Sequence, residues 1–158
     1  MAKKQTFTLD FVPDFDFIVI GIFSAYRDYR VCFELNRILH LNMIRQDDLE
    51  VKLEKRGSSG SFPWFFQLND DEEEYYLVAN KSNHGYLIPE LRQTDYFLVV
   101  KNPSRYTTAA DLESRIRFVA IISSTTDIDP TALKSAENFL LLEPVNDEEE
   151  KPKLPPLK

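Results

Sequence analysis

Seven consecutive apolar residues, Phe17-Ile18-Val19-Ile20-Gly21-Ile22-Phe23, constrain the fold of this chain more than any other feature. A bilayer-spanning helix needs about 20 such residues, so the run belongs inside a folded domain. Unbroken apolarity over this length suits a central strand buried on both faces. Residues 4–12 alternate, with Phe7, Leu9 and Phe11 on one side and Thr6, Thr8 and Asp10 on the other. They predict a half-buried strand stopped by Pro13. Ser24 stands where a helix N-cap belongs. From residue 25 to 39 the period becomes helical, and Val31, Cys32, Leu35, Ile38 and Leu39 form one apolar stripe. Tyr29 and Asn36 share the side of Cys32.

Further on the chain meanders. Residues 49–53 alternate as a strand, and Gly57-Ser58-Ser59-Gly60 predicts a flexible turn. Phe62, Trp64, Phe66 and Leu68 occupy every second position and make a core-forming stripe. On that alternation Phe65 faces outward. A hairpin through residues 69–74 leads to a strand at 75–79, and a polar loop turns at Asn83-His84-Gly85. Residues 96–101 predict a strand, 109–118 a second helix, 119–123 a strand, 129–134 a helical turn and 139–142 a last strand. The sum is an α+β fold: a mainly antiparallel sheet of about five to seven strands with two main helices packed on it. Residues 1–143 read as a single domain and 144–158 as an acidic, proline-rich disordered tail. That tail contains Pro152-Lys153-Leu154-Pro155, a PxxP pattern.

The most specific segment is Ile88-Pro89-Glu90-Leu91-Arg92-Gln93-Thr94-Asp95-Tyr96. It resembles the signature of the bacterial IPExxxVDY family, with Ile88, Pro89, Glu90, Asp95 and Tyr96 matching. Thr94 stands where that family has Val, a β-branched exchange of similar shape. Residues 28–36, Ile128-Asp129-Pro130, Leu133-Lys134 and Phe139-Leu140-Leu141 also look like parts of it. The resemblance spans most of residues 5–143. It implies a bacterial, cytoplasmic protein and supplies no mechanism.

Composition narrows the class. With 43% hydrophobic and 13% aromatic residues the chain is not wholly disordered, collagenous or coiled-coil. The N-terminal Lys3-Lys4 is not followed by an apolar core of a signal peptide, and one cysteine suits a reducing compartment. The net charge of −7 comes from residues 70–74 and 147–150; without those nine acids the balance is 19 bases to 17 acids. A broad phosphate-binding face is therefore not expected. Only four glycines are present and none falls into a phosphate loop, and no serine sits in a GxSxG elbow. No cofactor is indicated.

Candidate sites follow from the signature. Glu90 and Asp95 either serve acid–base or metal chemistry as paired carboxylates, or pair with Arg30, Asn36 and backbone amides. The second reading is a structural or binding polar network of Arg30, Asn36, Glu90, Asp95 and Tyr96, with Tyr29, at the seam between the first helix and the sheet. Cys32 and His40 are about two helical turns apart, ~12 Å along the axis, too far for a nucleophile and its base. No catalytic residue and no metal ligand is assigned. Trp64-Phe65-Phe66 suits a core more than a base-stacking platform. The expected function is that of a small cytoplasmic module acting through an unknown protein partner, without membrane or nucleic-acid contact. The alternatives are a ligand binder or enzyme built on Glu90, Asp95 and Arg30, and a nucleic-acid factor using Arg27, Arg30 and Arg37.

Overall fold

A computed structural model describes residues 15–53 and 58–144. The strand expected over residues 4–12 and the tail beyond Pro144 lie outside the described residues. The apolar run forms β1 (Ile18–Phe23), followed by α1 (Asp28–Leu39). Then come β2 (Ile44–Arg45), β3 (Leu49–Lys52), β4 (Ser59–Phe62), β5 (Trp64–Leu68) and β6 (Glu74–Ala79). A small hairpin of β7 (Lys81–Ser82) and β8 (Gly85–Tyr86) precedes β9 (Tyr96–Lys101), α2 (Ala109–Ile116) and β10 (Ser124–Ile128). Short 3-10 segments occupy Pro89–Leu91, Pro130–Ala132 and Ala136–Leu141. Six strands form one antiparallel sheet in the order β10-β1-β9-β6-β5-β2. The α+β architecture with two main helices is the one the periodicities predict.

Both faces of the sheet are buried, for a reason written into β1. Ile20 and Ile22 join Leu77, Leu98 and Val100 beneath Val31, Cys32, Leu35 and Leu39 of α1 and Leu112 and Ile116 of α2. The opposite face carries Val19, Trp64, Tyr76, Val78, Phe97 and Val99. It is closed without a long helix, by Val51 and Phe62 of the β3–β4 hairpin, by Leu87 and Ile88, and by Phe139 and Leu142. Phe139 meets Phe97 edge to face at 5.2 Å. Truncating a ring so enclosed costs about 3–5 kcal/mol. Gly21 lies on this second face and is small by necessity. A Cβ there would come within 2.9 Å of the Ile128 side chain, 3.0 Å of Thr126 and 3.1 Å of Thr94.

Several expectations are corrected. Ser24 does not cap α1: the helix starts four residues later, with Arg27 at the N-cap. Ser24 instead donates its hydroxyl to the Ile121 carbonyl, tying the end of β1 to the loop after α2. Of the turn expected at 57–60, Ser59 and Gly60 belong to β4, and Gly57 lies outside the described residues. Pro63 divides the aromatic stripe into β4 and β5. Phe65 is buried against the helix side and not exposed, because both faces of this sheet are covered. Residues 119–123 form turns, and the strand lies at β10. Val119 and Ile122 are apolar because they plug the core beneath α2, whereas β10, at the sheet edge, is polar. The last apolar segment is a 3-10 helix and not a strand; sealing the second face needs Phe139 and Leu142, not a further ladder.

Candidate functional site

The signature segment sits between the two cores and reaches in three directions. Ile88 is a fully buried core residue, and its extended backbone (φ −121°, ψ 91°) delivers Pro89 into the 3-10 turn. The Glu90 carboxylate accepts two hydrogen bonds from Ser135, one from the backbone N–H at 2.7 Å and one from the hydroxyl at 2.9 Å. Ser135 is the N-cap of the Ala136–Leu141 segment, so Glu90 holds the start of the element that seals the second face. Burial acts to raise the Glu90 pKa, but the hydrogen bonds from Ser135 outweigh it and hold it below the usual carboxylate range. Thr94 is buried with its methyl toward Gly21.

Asp95 works at the other end of the segment. One carboxylate oxygen accepts from the Ser24 backbone N–H at 2.9 Å, and the other meets the Lys81 ammonium at 2.7 Å. Tyr96 donates its hydroxyl to the Tyr26 carbonyl at 2.6 Å. Burial, with the charges of Asp28 and Asp95, pushes the Tyr96 phenol up to about 12. Together Asp95 and Tyr96 pin the link between β1 and α1. These groups border an open cleft of about 390 Å³ lined among others by Tyr26, Arg27, Pro63, Lys81, Asp95 and Tyr96.

The expected network of Arg30, Asn36, Glu90, Asp95 and Tyr96 is therefore not assembled. Glu90 and Asp95 have separate partners on separate elements. Arg30 lies 3.8 Å from Glu34 and over the Tyr26 ring at 5.6 Å. Asn36 turns to the far end of α1, accepting from the Met43 N–H at 2.9 Å and donating to the Met43 carbonyl at 3.2 Å. Tyr29 faces outward. Cys32 is buried, and burial together with the Asp28 charge pushes its thiol up to about 12. A thiol so protonated is a poor nucleophile at neutral pH. His40 ends α1 in the left-handed conformation (φ 58°). Among the described residues no cluster of three or more His, Cys, Asp or Glu is placed to hold a metal ion. No helix among them is long and apolar enough to cross a membrane.

The residue that organises the segment is Asn80, which in the sequence stands only at the start of a polar loop. Its side chain has no solvent exposure. Its amide N–H groups donate to the carbonyls of Leu91 and Thr94, each at 2.9 Å, and its oxygen accepts from the Ile88 N–H at 2.8 Å. One amide thus clamps the whole turn from 88 to 94. No local pattern announces it, because its partners lie 8 to 14 residues away.

A second unpredicted feature lies on the outer face of α1 and on the residue just before its N-cap. Tyr26 is 49% exposed, Tyr29 65% and Phe33 61%. Tyr29 and Phe33 are one helical turn apart and lie on the same side. Arg30 and Arg37 flank them, about half exposed, both turned to Glu34. Comparison with protein-family models, curated proteins and solved structures finds no match to this chain.

Proposed function

We propose that this protein is a non-catalytic protein-interaction module of the bacterial cytoplasm, and that it docks through the outer face of α1. The observation that carries the reading is the row of exposed rings Tyr26, Tyr29 and Phe33. The outer face of a surface helix ordinarily carries charged and polar groups. Here the core of the outer face is aromatic and its rim is arginine, the composition enriched where proteins meet. Glu34 neutralises one of the two guanidiniums it touches, and Arg27 adds a further exposed cation. The partner that fits is a protein with an apolar groove and an acidic rim, receiving the helix by its Tyr29–Phe33 stripe. The cytoplasmic and bacterial parts of the proposal rest on the single buried thiol and on the likeness of Ile88 to Tyr96 to the IPExxxVDY signature.

Against the enzyme or ligand-binder alternative stand the separate partners of its three residues: Ser135 for Glu90, Ser24 and Lys81 for Asp95, and Glu34 for Arg30. Against the nucleic-acid alternative stands the small cationic surplus of this face, where Glu34 offsets one of the Arg30 and Arg37 charges, short of the strongly basic face that such binding needs. The test is affinity purification from native extract, nuclease-treated, with the wild-type chain and with Tyr29→Asp/Phe33→Asp. We expect an acidic-surfaced partner held by the wild type and bound at least about 30-fold more weakly by the variant, as loss of two aromatic anchors implies. Both proteins should melt alike, because both side chains are exposed. Recovery of the same proteins by both chains sinks the reading. Concentration-dependent dimers that the variant abolishes would assign the face to a second copy instead.

A further inference from the structure

One corner of the second face is left open among the described residues. Ile44 of β2 and Phe66 of β5 are cross-strand neighbours, as are Phe66 and Tyr76 of β6, so all three share that face. Leu68 follows on the same side of β5. Ile44 is 58% exposed and Leu68 56%, although the Phe66 ring packs on Tyr76 at 5.0 Å. The β5–β6 turn rims the corner with Asp70, Asp71 and Glu72, all exposed, and no Lys or Arg of the described residues pairs with them. Both ends of the described chain come close. The Lys101 ammonium donates to the Leu142 carbonyl and lies 5.0 Å from the centre of the Tyr76 ring and 5.7 Å from that of Phe17. Phe17 in turn meets Phe15 edge to face at 6.0 Å.

We propose that this corner is a docking site for the chain's own residues 4–12, with Phe7, Leu9 and Phe11 laid on Ile44, Phe66 and Leu68. The reach is sufficient. In sheet order β1 and β2 are four steps apart, roughly 19 Å at the usual strand spacing. The eight residue steps from Phe15 back to Phe7 span roughly 26 Å when extended. The alternation of the segment supplies what an open apolar corner needs: three large apolar side chains on one side, with Thr6, Thr8 and Asp10 left to solvent on the other. Its charge matches the rim. Lys3 and Lys4 lie beyond Phe7, so they arrive at the acidic turn once the apolar row has crossed the strands. Residues 145–158 start equally near but suit the corner less. They open with one valine and then Asp147-Glu148-Glu149-Glu150, which the acids at 70–72 repel.

The test is hydroxyl-radical footprinting of the full-length chain, read by peptide mass spectrometry at Leu68, with the 76% exposed Phe118 as the accessible reference. In the wild type Leu68 should be labelled well below Phe118 once intrinsic reactivity is corrected for. In Phe7→Ser/Leu9→Ser/Phe11→Ser its labelling should rise at least about threefold, as follows if the segment covers the corner in about two molecules of three or more. Phe118 and the fully buried Val99 should not change, which shows that the domain stays folded. Lys3→Glu/Lys4→Glu, which keeps every apolar contact, should also raise Leu68 labelling, more at low salt than at high. Leu68 labelled equally in the wild type and the triple variant would overturn the proposal. A rise instead in Val145→Ser/Leu154→Ser/Leu157→Ser would give the corner to the C-terminal residues, and wild-type protection lost on dilution would give it to a second copy. Either result overturns docking by residues 4–12 of the same chain.

Discussion

Asn80 makes three side-chain hydrogen bonds from a position without solvent exposure, and that sets the stakes of a single residue. Replacing it with alanine leaves the Ile88 N–H and the Leu91 and Thr94 carbonyls without these partners. Buried polar groups stranded in this way cost about 1–3 kcal/mol each. Asn80→Ala should therefore lower stability by about 3 kcal/mol or more, read as a drop in the urea midpoint, while Asn36→Ala, at a half-buried position, should cost less. An Asn80→Ala protein as stable as the wild type would mean the turn from 88 to 94 is held by packing alone. At this scale the sequence suggested Asn36 as the partner of residues 88–96, and the structure places Asn80 there instead. Asn36 looked suitable because it lies at helical spacing from Cys32, and it does bond locally, to Met43. Asn80 acts on residues that only the folded path of the chain brings to it.

Among the elements, the Ala136–Leu141 segment shows how a short piece of irregular chain is made dependable. Six residues of 3-10 helix have poor intrinsic stability. This one is anchored inside by Phe139 and at its start by Glu90, whose carboxylate satisfies the Ser135 N–H and hydroxyl. Glu90→Ala should loosen that start: faster amide exchange over residues 135–139 and little change in β9 or α1. The expected loss of stability is about 0.5–2 kcal/mol, as for a missing helix cap. Equal protection in the variant and the wild type would show that Phe139 alone holds the segment. The elements whose character is local were legible beforehand. α1 and α2 carry a period of 3.6 that matches the side they bury, and β1, β6 and β9 are short apolar runs buried on both faces. Those misread, at 119–123 and 139–142, are runs of apolar residues too short for periodicity to separate strand from turn. Their apolarity reflects what they cover, not how their backbone is paired.

For the whole molecule, the end of the sheet opposite the Asp95 cleft is closed by a buried acid. Glu73 is 4% exposed and accepts from the Asn69 amide at 2.9 Å, the Tyr75 hydroxyl at 3.3 Å and the Ser104 N–H at 2.7 Å. It joins the β5–β6 turn to the loop after β9. Burial acts to raise its pKa, but the hydrogen bonds, among them those from Thr107 and Ser104, win and leave it below the ordinary value of 4.5. Glu90 is shifted in the same direction. A carboxylate whose pKa is lower folded than unfolded binds fewer protons when folded. Its stabilisation is complete above the unfolded value and is lost as pH falls from about 4.5 through the folded value. Urea midpoints should fall over that window, and Glu73→Gln should flatten the fall by removing one titrating group. A variant with the wild type's acid slope would place the acid sensitivity elsewhere. The sequence alone determined that this chain makes an α+β fold, that β1 is interior, and that residues 88–96 are special. The first two follow from local patterns of polarity, and the third from a resemblance to a family signature that starts at Ile88-Pro89. The tertiary structure decided the rest: that Glu90 and Asp95 part to different elements, that Asn80 binds the turn together, that Phe65 is inside, and that Tyr29 and Phe33 are outside. Those outcomes depend on which faces end up covered, and coverage is a property of distant segments meeting, which no window of the chain contains.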